Sequence, residues 1–450
     1  MQKPHVVAVP FPALGHFIPF LDLARLLASN GFAVSYVTTP ANVSRLQNHI
    51  VKSATNGLDI RLVPIPTPVV EGLQGFESTD LVAPDSKSRR HIFELAKYLQ
   101  NPFDTWMEQQ FHQQTVPPPV CIVYDMFMGW AVDTAQKFDV ANLSNVTQHF
   151  VRQCHQNIAK GSGMLINTFH ELEPLYVQHL KKLTGKPFWA IGPVHPQNVS
   201  GRAGNVFTRG KTSDINEQEL ICWLDSHIPR SVVYVSFGSF TPLSQEQAHA
   251  LARGLESSEQ PFVWAFKVPP KIEPASSESK TDHISIYLPE GFLERTKDRG
   301  LIIRGWAPQL VILSHVSVGA FISHCGWNSA LESISLGVPI LTWPMFTDQH
   351  FNSKLFAELG VGIQFCQDKD AIPKEESVRE AVTMALIGYK REEMRENAEK
   401  LKEMATNAIK LEGSSATDLR AFVSEMHKLN TRPTKEKEET VSNFIIPSTE

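Results

Sequence analysis

Short apolar runs recur along the chain, and each is followed by a segment whose apolar positions return at helical spacing. Near the N-terminus HVVAVP reads as a strand, FPALGH as a loop, FIPFLDLARLLASNG as a helix stopped by Asn30-Gly31, and FAVSYVTT as the next strand. The same alternation continues through the strands IRLVPIP, VCIVYD, GMLINTF and FWAIGPV, with helices expected over 91–113, MFMGWAVDTAQKF and HELEPLYVQHLKKL. In the second half the strands SVVYVSF, PFVWAFK, GLIIRGW, 318–323, 338–343 and VGIQF alternate with helices over 245–257, 329–336, from Lys354, and on to Lys428. Strands that are apolar throughout, rather than on alternate positions, belong to parallel sheets covered on both faces. The fold class is therefore α/β, built from βαβ units.

Residues 196–216, rich in Gly, Ser, Asn and Arg, have linker composition and set the expected division. An N-terminal domain is expected over 1–195 and a C-terminal one over 217–430. Residues 431–450 are charged and aperiodic, and read as a disordered tail. A chain of 450 residues with 42% hydrophobic content can fill two cores.

Charge narrows the partners: 42 basic against 47 acidic residues, a net of −5, disfavours nucleic acid or an anionic membrane. The five cysteines, 121, 154, 222, 325 and 366, are odd in number and lack a CxxC pair, so neither a disulfide framework nor a zinc site is indicated. A reducing cytoplasmic setting fits. The run 6–10 is too short for a signal segment, and no stretch reaches membrane-spanning length.

Candidate chemistry concentrates in 306–349. The turn from Gly326 to Ser329 opens a helix whose positive end favours a phosphate, and His324 could donate to the same anion. Glu332, one turn in, suits ribose hydroxyls; Trp306 offers a flat face to a base; Asp348 and Gln349 offer acceptors and donors to a sugar. Together they describe a nucleotide-sugar site. Gly238-Ser239 after SVVYVSF either approaches a phosphate or only turns the chain. FPALGH lacks GxGxxG, so a nicotinamide cofactor is not supported. His16 and Asp125 both stand at strand ends, where α/β folds place ligands; each also reads as an ordinary loop or capping residue.

The segment 306–349 resembles, over its full length, the signature box of plant-type UDP-dependent glycosyltransferases of small molecules. The resemblance implies two facing Rossmann-like domains with a cleft between them (GT-B architecture), the C-terminal helices crossing back to the first. It implies that Trp306 stacks on uracil, with Ala307 and Gln309 also at the donor. His324, Asn328 and Ser329 would hold the diphosphate, Glu332 the ribose, and Asp348 and Gln349 the sugar, with Ser239 on the phosphate side. Gln349 is associated with glucose donors; Trp327, where an Arg would suit glucuronic acid, argues against that sugar, and Thr347 replaces a smaller residue.

By the same resemblance His16 is the catalytic base and Asp125 its partner. The implied reaction is inverting transfer from a UDP-sugar to a hydroxyl of a small lipophilic metabolite, without cofactor or metal. Residues 140–163 are shorter than the resemblance requires, and Ser144 or Thr147 is the candidate for a hydroxyl contact to the sugar or an ordinary turn residue. Two alternatives follow: a UDP-sugar-binding protein without transferase activity, and a nucleotide-sugar epimerase.

Overall fold

The computed structural model describes residues 3–71, 86–113, 117–146, 160–196, 215–238, 241–267, 284–346 and 348–431. The chain divides into two compact units, one of Met1–Pro196 with Met404–Glu450, the other of Gln197–Glu403. Both are parallel-sheet α/β domains of Rossmann-like type.

The first unit holds β1 (His5–Val9), β2 (Ala33–Thr38), β3 (Ile60–Pro64), β4 (Cys121–Asp125), β5 (Ala141–Val146), β6 (Gly163–Ile166) and β7 (Phe188–Ala190). Their order is 3-2-1-4-5-6-7, and every neighbouring pair is parallel. The second unit holds β8 (Val232–Ser236), β9 (Phe262–Phe266), β10 (Gly300–Arg304), β11 (Val318–Ser323), β12 (Ile340–Thr342) and β13 (Gly362–Gln364), in the order 10-9-8-11-12-13, again all parallel. Chain order reverses beside the first strand of each sheet, between β1 and β4 and between β8 and β11. At such a reversal the connections leave to opposite faces, opening a crevice beyond the carboxyl ends of the two strands. β1, β4, β8 and β11 are buried at every position, as sheets covered on both faces demand.

Several expected elements shift. The first helix is Leu14–Ser29, so His16 lies in its opening turn rather than in the loop before it. A helix at Pro40–Thr55 was not anticipated: polar Asn42, His49 and Ser53 share its buried face with Leu46 and Ile50, which blurs the apolar period. The single helix expected over 91–113 is two, Ser86–Tyr98 and Gln100–Gln113. Pro102 cannot donate to the Tyr98 carbonyl and its ring crowds that group, so the chain restarts at Leu99. MFMGWAVDTAQKF is helical only over Ala131–Lys137. In the signature segment the helix opens earlier, at Trp327, and the helix placed from Lys354 begins at Gln349.

The shortened region still supplies a strand. β5 lies between β4 and β6, with Ser144 opposite Tyr124 and Met164, and the Ser162 N–H returns to the Asn142 carbonyl at 2.9 Å. Thr147 lies outside the described residues, as do residues 197–214 of the expected linker and the tail from 432.

Residues 404–431, counted by sequence with the second domain, belong to the first unit. The helix Ser414–Thr431 is bonded to the edge of the first sheet: Asp418 Oδ2 accepts from the Ala190 N–H at 2.7 Å and meets His170 Nε2 at 3.0 Å, and Ser415 Oγ donates to the Gly192 carbonyl at 2.5 Å. Phe422 packs against Phe32 and Trp189.

Candidate active site

In the first unit the geometry is set by the β1/β4 reversal. β1 runs through a loop into the helix that carries His16 in its first turn, and Asp125 is the last residue of β4, the parallel neighbour of β1. His16 Nδ1 meets Asp125 Oδ2 at 2.8 Å, and Asp125 Oδ1 accepts the Phe127 N–H at 3.0 Å. The carboxylate is 0% exposed, with both oxygens engaged, so its position is fixed. An ionised carboxylate only accepts, so the shared proton sits on Nδ1 and the neutral imidazole keeps its lone pair on Nε2.

Aromatic rings surround the pair. Phe11 lies edge-on to the His16 ring at 5.3 Å, and Phe127 lies tilted to it at 5.4 Å. Phe93 stands 4.9 Å from Phe11 and 5.1 Å from Phe127, and is 42% exposed. These rings escaped the sequence reading. Phe11 and Phe127 adjoin the two motifs and were within reach; Phe93 sits far along the chain on a helix of ordinary pattern.

In the second unit the β8/β11 reversal brings together Gly238, past β8, and His324, past β11. The imidazole lies between two glycines that leave room for no side chain: a Cβ on Gly238 would fall 2.8 Å from Cε1, and one on Gly326 2.6 Å from Nε2. Gly238 also adopts φ +70, a conformation that suits glycine. Loss of hydration lowers the His324 pKa to about 4, so the ring is neutral at pH 7. Its Nδ1 is buried without a hydrogen-bond partner.

The helix Trp327–Leu336 begins next, its N-cap Gly326 offering no side-chain cap, and the Ala330 N–H is bonded back to the Gly326 carbonyl at 3.0 Å. Asn328 and Ser329 stand in this first turn, at the positive end of the helix. Trp327, expected at the donor, is 2% exposed and counts among the buried core residues.

Gln309 opens the helix Gln309–Ser314 and reaches across to the signature helix, where its Nε2 donates to Glu332 Oε2 at 2.6 Å and to Ser329 Oγ at 3.0 Å. Trp306 and Ala307 lie in the connection from β10 to that helix, Trp306 partly exposed and Ala307 packed into the core.

Asp348 is the N-cap of the helix Gln349–Glu358 and is 1% exposed. Asn352 Nδ2 donates to Asp348 Oδ2 at 3.0 Å and to the Cys325 carbonyl at 2.9 Å, tying the acid to the turn beside His324. Gln349 Oε1 accepts from the N–H groups of Met345 and Phe346, both at 2.9 Å, which fixes the orientation of its amide. Ser239 and Thr347 lie outside the described residues. Among those residues, no three or more His, Cys, Asp and Glu side chains gather as a metal would require, and no helix is long and apolar enough to cross a membrane.

One unit thus carries a buried acid that orients a histidine; the other gathers a helix N-terminus, a neutral histidine and a held carboxylate. Two Rossmann-like units furnished in this way define a nucleotide-sugar-dependent transferase of GT-B type. The family described as UDP-glucoronosyl and UDP-glucosyl transferase matches residues 96–436, and the glycosyltransferase N-terminal domain matches residues 3–64. The chain belongs to this UDP-glycosyltransferase family.

Among its relatives are the scopoletin glucosyltransferase of Nicotiana tabacum, 35% identical over 95% of this chain and 98% of that protein, and the UDP-glucose flavonoid 3-O-glucosyltransferase 7 of Fragaria ananassa, 34% identical over 95% and 97%. The first alignment spans 492 positions against 450 residues here, so the relative carries segments that this chain lacks. Arabidopsis thaliana UGT89C1, solved with UDP-L-rhamnose, is 30% identical with a TM-score of 0.79, covering 95% of this chain and all of that one. Glycyrrhiza uralensis UGT73P12, solved with glycyrrhetinic acid 3-O-monoglucuronide, has 28% identity and the same TM-score over 98% and 99%.

Proposed function

We propose that the protein transfers glucose, with inversion, from UDP-glucose to a hydroxyl of a small lipophilic metabolite. The observation that carries this reading is the 2.8 Å contact between His16 and the buried Asp125 at the first sheet's reversal. His16 Nε2 takes the acceptor's hydroxyl proton while Asp125 stabilises the imidazolium that forms. The acceptor oxygen attacks the anomeric carbon from the face opposite UDP; the carbon–oxygen bond to the diphosphate breaks, and its electron pair leaves with UDP.

His324, Asn328, Ser329 and the positive helix end meet the leaving charge, with Ser239 as a further donor, so no metal and no cofactor is needed. Glu332, held by Gln309, takes the ribose; Trp306 and Ala307 take uracil; Asp348 and Gln349 take the sugar. Glucose is favoured by the glucosyl relatives and by Gln349, although UGT89C1, of the same fold, was solved with a rhamnose donor. The aromatic rings around His16 favour an acceptor with a flat apolar body. A cytoplasmic site of action fits the unpaired thiols of Cys121, Cys222, Cys325 and Cys366.

A binder that has lost transfer draws on the chain's shortness relative to its relatives. Against it stand β5, which keeps its place in the sheet, and the intact His16–Asp125 pair. Proton magnetic resonance of the product tests the mechanism: α-linked UDP-glucose should yield a β-glucoside, and an α-glucoside would rule out single inverting displacement.

A further inference from the structure

Tyr234 lies in β8, 1% exposed, with no motif to single it out. Its ring stacks on Phe321, its register partner across the β8/β11 reversal, at 5.0 Å and 18°. The only polar atom of that ring reaches out of the core: the phenol donates to Gln309 Oε1 at 3.3 Å. The other end of the Gln309 amide donates to Glu332 and Ser329. A carboxylate only accepts, so the amide N–H groups must face Glu332, Oε1 must face Tyr234, and the phenol must be the donor. Burial raises the phenol's pKa, which keeps that proton in place.

We propose that Tyr234 is a positioning residue for recognition of the nucleotide's ribose, its hydroxyl fixing the Gln309 amide that in turn aims the Glu332 carboxylate. The inference rests on Glu332 receiving the ribose hydroxyls. Without the phenol O–H the Gln309 carbonyl loses its donor, and the amide is free to rotate away from Glu332. Phenylalanine at 234 would preserve the ring, its stacking and the core volume, so the hydroxyl's role can be read without unfolding the unit.

The test is calorimetric titration of the full chain with UDP and with 2′-deoxyuridine 5′-diphosphate, for wild type and Tyr234→Phe, beside thermal melting without ligand. Wild type should prefer UDP. In Tyr234→Phe that preference should shrink by about three- to tenfold, the worth of one neutral hydrogen bond, with the 2′-deoxy affinity and the melting temperature nearly unchanged. In a Gln309→Ala background the same substitution should change the preference no further. A variant that keeps the wild-type preference, or that loses affinity for both nucleotides alike, overturns the inference. A wild type that does not distinguish the two nucleotides removes the ribose role of Glu332, and the inference falls with it.

Discussion

At the scale of single residues, two histidines are kept neutral by burial and one is held in place by a carboxylate. Asp125 holds the proton on His16 Nδ1 and leaves Nε2 to act. His5 and His324 instead have their pKa lowered to about 4, in both cases chiefly by loss of hydration; at His5, Arg61 lowers it further while the Pro117 carbonyl and Asp59 oppose. The linkage follows in sign. Between about pH 6.5 and 4 the unfolded chain binds a proton at these sites that the folded chain refuses, so their contribution is complete above 6.5 and is lost as pH falls through that window. For fully buried His5 the loss is on the order of 3 kcal/mol. Melting followed by circular dichroism from pH 7 to 4.5 should fall less steeply for His5→Asn than for wild type; parallel slopes would contradict the assignment. The His16–Asp125 pair could be read from the sequence only through the family resemblance, since a strand-end position alone left each residue an ordinary loop or capping reading. Phe93 and Tyr234 could not, because what distinguishes them is which ring or amide the fold brings against them.

At the scale of elements, function follows from where strand order reverses. The strands announced themselves by unbroken apolar runs, and β11 and the helix Gln245–Ser257 fall at the residues expected. The helices Pro40–Thr55 and Ser86–Tyr98 were less legible, since their buried faces carry polar residues or their period is interrupted by a proline. The turn after β8 looked from sequence like a glycine-serine bend with two readings. The structure adds that Gly238 walls the His324 ring, so the loop has a mechanical role whatever Ser239 does. Gly238→Ala would strain a backbone at φ +70 and put a methyl group within 2.9 Å of the imidazole. UDP affinity by calorimetry should fall about tenfold or more, as expected for a clash and strain of a few kcal/mol. Unchanged affinity would remove the cradle from donor binding.

At the scale of the whole molecule, the chain does not divide as its order suggests. Sequence composition marks the change of unit near residue 196, and only the family resemblance, not the pattern of the helix Ser414–Thr431 itself, pointed to its place with the N-terminal sheet. Its reason is long-range: β7 is an edge strand whose Ala190 N–H requires an acceptor, and Asp418 provides it while also meeting His170. Asp418→Ala should therefore destabilise the N-terminal unit by about 1–3 kcal/mol, the cost of leaving such a donor unpaired. Hydrogen exchange should show the loss around β7 rather than in β8–β13; protection lost only in the second sheet would contradict the packing.

The central claim is that a nucleotide sugar held by the second unit loses its sugar to an acceptor deprotonated by His16. Transfer from UDP-glucose to a panel of phenols and terpenols, measured for wild type and His16→Ala with UDP binding followed alongside, tests it directly. Wild type should form glucosides, and His16→Ala should bind UDP normally while turnover falls by about 10²–10⁴-fold. Undiminished turnover in His16→Ala would remove it as the base, and a wild type that binds UDP-glucose yet glucosylates no acceptor would overturn the transferase reading.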